Sequence, residues 1–176
     1  MADTGEVKSL LVAPAWVGDM VMAHSLIRSL SDRAFPTIID VLAPPATSSL
    51  ASRMVEVRKI HTLDVGHGQF GFRQRIDTAR SLRDEHYDEA FVLPNSWKSA
   101  LVPFFAGIRK RVGWIGEMRF GLLNETRSLD KTAFPLMVDR FSVLADLNNN
   151  RIEAEAPRPS LEFDPDNQRG LIDRYD

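Results

Sequence analysis

A carboxylate at the junction of a strand and a helix is well placed for proton transfer, and the stretch Ala13-Pro14-Ala15-Trp16-Val17-Gly18-Asp19-Met20 supplies one. Gly18 lets the backbone turn sharply or come close to a ligand, and Trp16 offers a flat surface on which a sugar ring can stack. Two readings of Asp19 stand. It can be the helix N-cap, accepting bonds from the first free backbone N–H groups, or a general base with a lone pair turned toward a substrate hydroxyl. The two conflict, because a carboxylate engaged by helix N–H groups has its charged form favoured and accepts protons poorly.

A second junction reads Leu93-Pro94-Asn95-Ser96-Trp97-Lys98-Ser99. Asn95 and Ser96 donate and accept hydrogen bonds as sugar hydroxyls do, Lys98 adds a cation, and the start of a helix adds positive potential. Alternatively Asn95 or Ser96 caps that helix and Lys98 is solvated. Arg119 lies among glycines and aromatics in Trp114-Ile115-Gly116-Glu117-Met118-Arg119-Phe120-Gly121, where a planar guanidinium can clamp a carboxylate or phosphate. Arg109-Lys110-Arg111 reads as a solvated turn or strand edge. The four histidines, His24, His61, His67 and His86, lack metal-ligand spacing, so no metal is expected. Gly66-His67-Gly68-Gln69-Phe70-Gly71 matches the dinucleotide fingerprint, yet Asp88 and Glu89 fall at the near end of the next strand rather than the far end, where a ribose would need them. That stretch reads as a loop.

The elements that must carry these residues alternate. Short β-type runs at 7–13, 37–42, 58–65, 89–93 and 111–114 are separated by segments of helical spacing. Met20, Ala23, Ile27 and Leu30 share one helical face, and Pro36 closes that segment. The segment 74–85 sets Ile76, Ala79 and Leu82 against Arg75, Arg80, Arg83 and Asp84, a narrow stripe that predicts a surface helix. Phe134, Met137, Val138, Phe141, Leu144 and Ala145 predict a third helix, while Pro103 should bend or shorten one over 96–106. Right-handed crossovers then give an α/β fold with a Rossmann-like, doubly wound, mainly parallel sheet and ligands at the carboxyl ends of its strands. Residues 1–147 read as one domain. Asn148 to Asn150, Pro157 and Pro159 read as a linker, so 148–176 is taken as that linker and the start of an uncompleted second domain.

At 176 residues and 44% hydrophobic content the chain can bury one substantial core. A net charge of -2 gives no overall attraction to nucleic acid. The absence of cysteine removes disulfide and thiolate chemistry and fits a reducing compartment. The start is acidic, unlike a signal peptide, and the longest apolar stretches fall short of the roughly 20 residues that span a bilayer. Cytoplasmic placement is the expectation.

The strings 14–20, 93–96 with 98–107, and Gly113-Trp114 with Gly116-Glu117-Met118-Arg119 resemble the lipopolysaccharide heptosyltransferases of glycosyltransferase family 9, and the similarity runs on through Leu129-Asp130-Lys131 and Pro135-Leu136-Met137-Val138 to about Asp146. Even Gly66-His67-Gly68 is similar to the family's own loop. The resemblance implies the acceptor half of a two-domain GT-B enzyme of Gram-negative bacteria. Such an enzyme transfers heptose from ADP-heptose to the inner-core heptose of lipopolysaccharide, inverting and without metal or cofactor. Asp19 matches the family's base. Trp16, Gly18, Asn95, Ser96, Lys98 and Arg119 become acceptor-site candidates, Lys98 and Arg119 facing acidic Kdo or phosphate groups. The ADP moiety would sit in a second domain whose motifs this chain lacks, so the fragment is expected to be inactive alone. A lipid A-linked acceptor implies transient contact with the inner membrane surface, although no amphipathic anchor stands out in the sequence. A nucleotide-binding oxidoreductase domain and a non-catalytic carbohydrate-binding module are the alternatives.

Overall fold

The computed structural model describes residues 5–66, 69–145, 155–163 and 165–175. Six strands form one all-parallel sheet in the order β3-β2-β1-β4-β5-β6: β1 (Val7–Val12), β2 (Thr37–Ala43), β3 (Val57–Thr62), β4 (Glu89–Val92), β5 (Lys110–Trp114) and β6 (Glu125–Arg127). The strand order reverses between β1 and β4, which pair directly with Val12 opposite Val92. In a doubly wound sheet that reversal opens a crevice at the carboxyl ends.

Alternation along the strands builds two cores, one on each face of the sheet. Leu11 and Ala13, Ile39 and Val41, and Phe91 and Leu93 join one cluster; Leu10, Val12, Leu42, Ala90 and Val92 join the other. Helix α1 (Val17–Ser31) lays Met20, Ala23, Ile27 and Leu30 on the first face, as their spacing predicts, beside α2 (Pro45–Ala51). Helices α3 (Phe72–Arg83) and α4 (Leu101–Phe105) cover the second face through Ala79, Leu82 and Val102. Only Ala79 and Leu82 of α3 are buried, which is what its narrow stripe implied.

Three elements differ from the sequence reading. Helix α2 and the three-residue β6 were not foreseen; each is too short to show a period. The helix expected over 134–145 is α5 (Met137–Ser142) followed by a 3-10 turn, Val143–Ala145. Pro135 disfavours helical backbone at Phe134, and the carbonyls of both are taken instead by the Arg140 guanidinium at 2.8 and 3.0 Å. Over 96–106 a 3-10 turn, Trp97–Ala100, precedes α4, and Pro103 falls in the first turn of α4, where no intrahelical N–H bond is lost.

Of the expected linker, 146–154 lie outside the described residues. From 155 the chain runs back along α1: Ala156 is buried, Arg28 donates to the Arg158 carbonyl at 2.6 Å, and the Ser160 N–H donates to His24 Nδ1 at 3.1 Å. Helix α6 (Pro165–Tyr175) follows. Among the described residues no helix is long and apolar enough to cross a membrane.

Candidate functional site

The loops after β1, β4 and β5 leave the same edge of the sheet from three adjacent strands. The first is fixed from below: the buried Thr47 hydroxyl of α2 donates to the Pro14 carbonyl at 3.2 Å, and the Ala13 N–H donates to the Leu42 carbonyl at 2.9 Å. Helix α1 then begins with Trp16 at the N-cap in extended backbone, with no side chain capping it. Trp16 is 75% exposed, so most of its side chain faces solvent.

Asp19 is therefore not the N-cap. It sits in the first turn of α1, half-buried, and its carboxylate makes no hydrogen bond or ion pair among the described residues. The helix start still lends it positive potential. Gly18 does not make the sharp turn proposed for it either, since it lies inside α1. A Cβ there would meet nothing within 4 Å, so the protein's own packing does not demand a glycine. Open space for a close ligand is what remains of that reading.

The second loop is held by the buried Ser99, whose Oγ lies 2.9 Å from the Pro94 carbonyl and 2.6 Å from that of Ser96. Ser96 occupies the cap of the 3-10 turn, but its hydroxyl makes no capping bond. Asn95 is exposed, and Lys98 is half-buried with its ammonium unpaired among the described residues.

Arg119 departs most from expectation. It is 3% exposed, and its guanidinium donates to the Pro94 carbonyl at 2.7 Å, to the Trp114 carbonyl, and to Asn95 Oδ1 at 3.4 Å. Burial pushes its pKa below the ordinary arginine value, with Glu117 pulling the other way. The glycine at 116 makes the fit possible, because a Cβ there would lie 3.0 Å from the Asn95 carbonyl and 3.4 Å from the guanidinium. Arg119 thus clamps the β4 and β5 loops together through Nη1 and Nη2, while its buried Nε has no hydrogen-bond partner among the described residues.

A cavity of about 220 Å³ opens where the strand order reverses, with Ala15, Pro44, Leu63, Arg75, Ser96 and Ser99 in its wall. It links the first two loops through Ala15 and Ser96. Trp16 and Asn95, on the same two loops, and Asp19 and Lys98, in the first turn of α1 and the 3-10 turn that follow them, stand outside its wall. Arg75 is the residue missed from sequence. Half-buried, it donates to the Phe70 carbonyl at 2.9 Å and the Lys98 carbonyl at 3.1 Å, and burial lowers its pKa. Grouping it with the solvated arginines of α3 hid it. Its spacing of four and seven from the buried Ala79 and Leu82 was the available signal.

The glycine-rich loop serves the chain itself. Gly71 caps α3 in left-handed backbone (φ 56°), and a Cβ there would lie 2.5 Å from Val65 Cγ1. His67 and Gly68 lie outside the described residues. Among those described, no group of three His, Asp or Glu side chains is placed to hold a metal ion.

The family model for glycosyltransferase family 9 (heptosyltransferase) matches residues 75–172, more than half of the chain. The chain belongs to glycosyltransferase family 9. It is 51% identical over 156 residues to lipopolysaccharide heptosyltransferase 2 of Escherichia coli, covering 88% of this chain and 45% of that protein. Lipooligosaccharide heptosyltransferase 2 of Haemophilus influenzae is 42% identical over 170 residues, covering 95% of this chain and 49% of the relative. The solved E. coli ADP-heptose lipopolysaccharide heptosyltransferase II superposes with a TM-score of 0.84 at 44% identity, covering 96% of this chain and 50% of that one. A family 9 protein of Veillonella parvula shares the fold at a TM-score of 0.80 and 11% identity. The family 9 chain spans about half the length of the curated relatives it matches.

Proposed function

We propose that this family 9 chain is the acceptor-binding half of a heptosyltransferase that extends the lipopolysaccharide inner core, with ADP-heptose as donor. The observation that carries this reading is the Asp19 carboxylate: it stands at the crevice edge of the sheet, partly open to solvent, with no lone pair consumed by its own helix. Such a group can take the proton from an acceptor hydroxyl as that oxygen attacks the anomeric carbon. The C–O bond to ADP breaks on the opposite face, the bonding pair leaves with ADP, and the anomeric centre inverts. No step in this sequence calls for a metal.

Trp16 provides a face for the acceptor sugar, Asn95 and Ser96 hydrogen-bond its hydroxyls, and Gly18 leaves room for it. Lys98 meets an acidic Kdo or phosphate group. Arg119 acts through the loops it joins, as a positioning residue. An E. coli heptosyltransferase solved with ADP, which shares the fold, supports ADP-heptose as the class of donor. Donor binding falls to a second half of the kind that the longer relatives have room for, so turnover needs both halves. Cytoplasmic placement with transient contact at the inner membrane completes the proposal.

The test is a pair of assays on the 176-residue chain, using a deacylated, soluble heptose–Kdo oligosaccharide. Calorimetry should show binding that weakens in Trp16→Ala and Lys98→Ala, and incubation with ADP-heptose should give no transfer. Absence of binding would remove the acceptor-site reading, and transfer by this chain alone would remove the division of labour.

A further inference from the structure

The covering helices α3 and α4 carry a feature that no single stretch of sequence shows. Five aromatic rings from separate segments stand end to end: Trp97 to Phe70 (5.2 Å between centroids), Phe70 stacked on Phe72 (5.7 Å), Phe72 edge-on to Phe105 (6.1 Å), and Phe105 to Phe104 (5.4 Å). Four of them are far from buried: Phe72 is 50% exposed, Phe104 39%, Phe70 38% and Trp97 37%. A contiguous apolar strip of this kind marks an interaction surface.

Cations are fixed among the rings. The Arg111 guanidinium lies 5.4 Å over Phe104, Arg83 donates twice to the Phe105 carbonyl, and Arg75 donates to the Phe70 carbonyl. Residues 72–83 and 97–111 together hold eight Lys or Arg and one acidic residue, Asp77, which lies against Arg73 and Arg80, while Lys110 is paired with Glu89 outside these segments, so the face keeps an excess of cations. Positive charge is thus concentrated where the rings are. Two copies of this face would set cation against cation, and one sugar ring would cover only a fraction of the row. An anionic interface of low polarity matches both features, since aromatic rings settle at the headgroup level and arginines pair with lipid phosphates.

We propose that the α3–α4 face docks on an anionic phospholipid bilayer, with Trp97, Phe70, Phe72 and Phe104 entering the headgroup region. Arg75 ties the strip to the cavity wall, so docking would bring a membrane-borne glycan to the crevice. The choice of a bilayer deepens the acceptor reading above and rests on it.

The test is co-sedimentation of the 176-residue chain with vesicles of phosphatidylethanolamine plus phosphatidylglycerol, and with phosphatidylcholine vesicles as control. Binding is expected only to the anionic vesicles and should weaken with salt. The pair Phe72→Ser with Phe104→Ser, and separately Arg73→Glu with Arg80→Glu, should each lower vesicle affinity about tenfold or more. Far-UV circular dichroism should be unchanged. If the ring variant fails to fold, the arginine pair still decides, since those side chains are 94% and 68% exposed. Equal binding to both vesicle types, equal binding by the variants, or no binding overturns the proposal. So does a dimer in light scattering that the ring variant dissolves, which would give the surface to a second copy. A chain that sediments but shows no affinity for the soluble oligosaccharide supports this surface and counts against the acceptor site; the reverse pattern does the opposite.

Discussion

Replacing Arg119 separates two roles that the same residue type could play. Its two terminal guanidinium nitrogens donate to the carbonyls of Pro94 and Trp114 and to Asn95 Oδ1, from a position 3% exposed, and Nε has no hydrogen-bond partner among the described residues. Hydrogen bonds to a charged donor contribute about 1.5–3 kcal/mol each, and carbonyls left buried without a donor add a desolvation cost of similar size. Arg119→Met should therefore cost about 4 kcal/mol, which for a domain of this length lowers Tm by roughly 8–16 °C. Arg119→Lys keeps the charge but cannot span two strand ends with a planar fork, so about 2 kcal/mol is expected. The assay is thermal and urea unfolding followed by circular dichroism. Oligosaccharide binding should fall in proportion as the β4 and β5 loops loosen. Variants that are as stable as the parent but no longer bind an acidic oligosaccharide would refute the clamp and return Arg119 to direct anion recognition.

Other perturbations test the frame around the site. Asp40 is fully buried, bound by Arg58 through Nε at 2.9 Å and by the Tyr87 hydroxyl at 2.5 Å; burial would raise its pKa, but these partners and His61 hold it well below the carboxylate range. A depressed folded pKa gives stability that is present above about pH 4 and is lost as the pH falls below it; Asp40→Asn should cost about 2–3 kcal/mol at neutral pH and flatten that acid limb in urea titrations. His24→Ala removes the acceptor for the Ser160 N–H and the partner of Glu56 at 2.7 Å, so a glutamate-specific endoprotease should cut after Glu162 faster in this variant; an unchanged cleavage rate would show that the contact does not hold the segment. Gly18→Ala fills open space inside a helix and should stabilise by about 0.5–1 kcal/mol, while weakening oligosaccharide binding if the acceptor passes close to that backbone.

The sheet was legible because the central strands are short runs rich in apolar residues, Leu10–Val12 in β1, Ile38, Ile39, Val41 and Leu42 around Asp40 in β2, and Ala90–Val92 in β4, and α1 because four apolar residues repeat over three turns. α2 and β6 were not, since neither is long enough to display a period. Asp19, Ser96 and Lys98 were found at the right edge of the sheet by their place after strands. Whether their side chains were free or spent on caps was a question of geometry, and none of them caps its helix or turn. The internal contacts of Arg119 were hidden for the same reason: composition shows a guanidinium among glycines, and only packing shows the carbonyls it serves. The ring row escaped notice because Phe70, Phe72, Trp97 and Phe104 are brought together by the packing of α3 on α4.

The proton acceptor is tested most directly by Asp19→Asn in a protein that carries both halves, assayed for heptosyl transfer to the soluble oligosaccharide. The amide is nearly the same size and cannot take a proton, so kcat should fall by about a hundredfold or more while the acceptor KM and the unfolding midpoint stay where they were. A kcat equal to that of the parent protein would contradict the assignment.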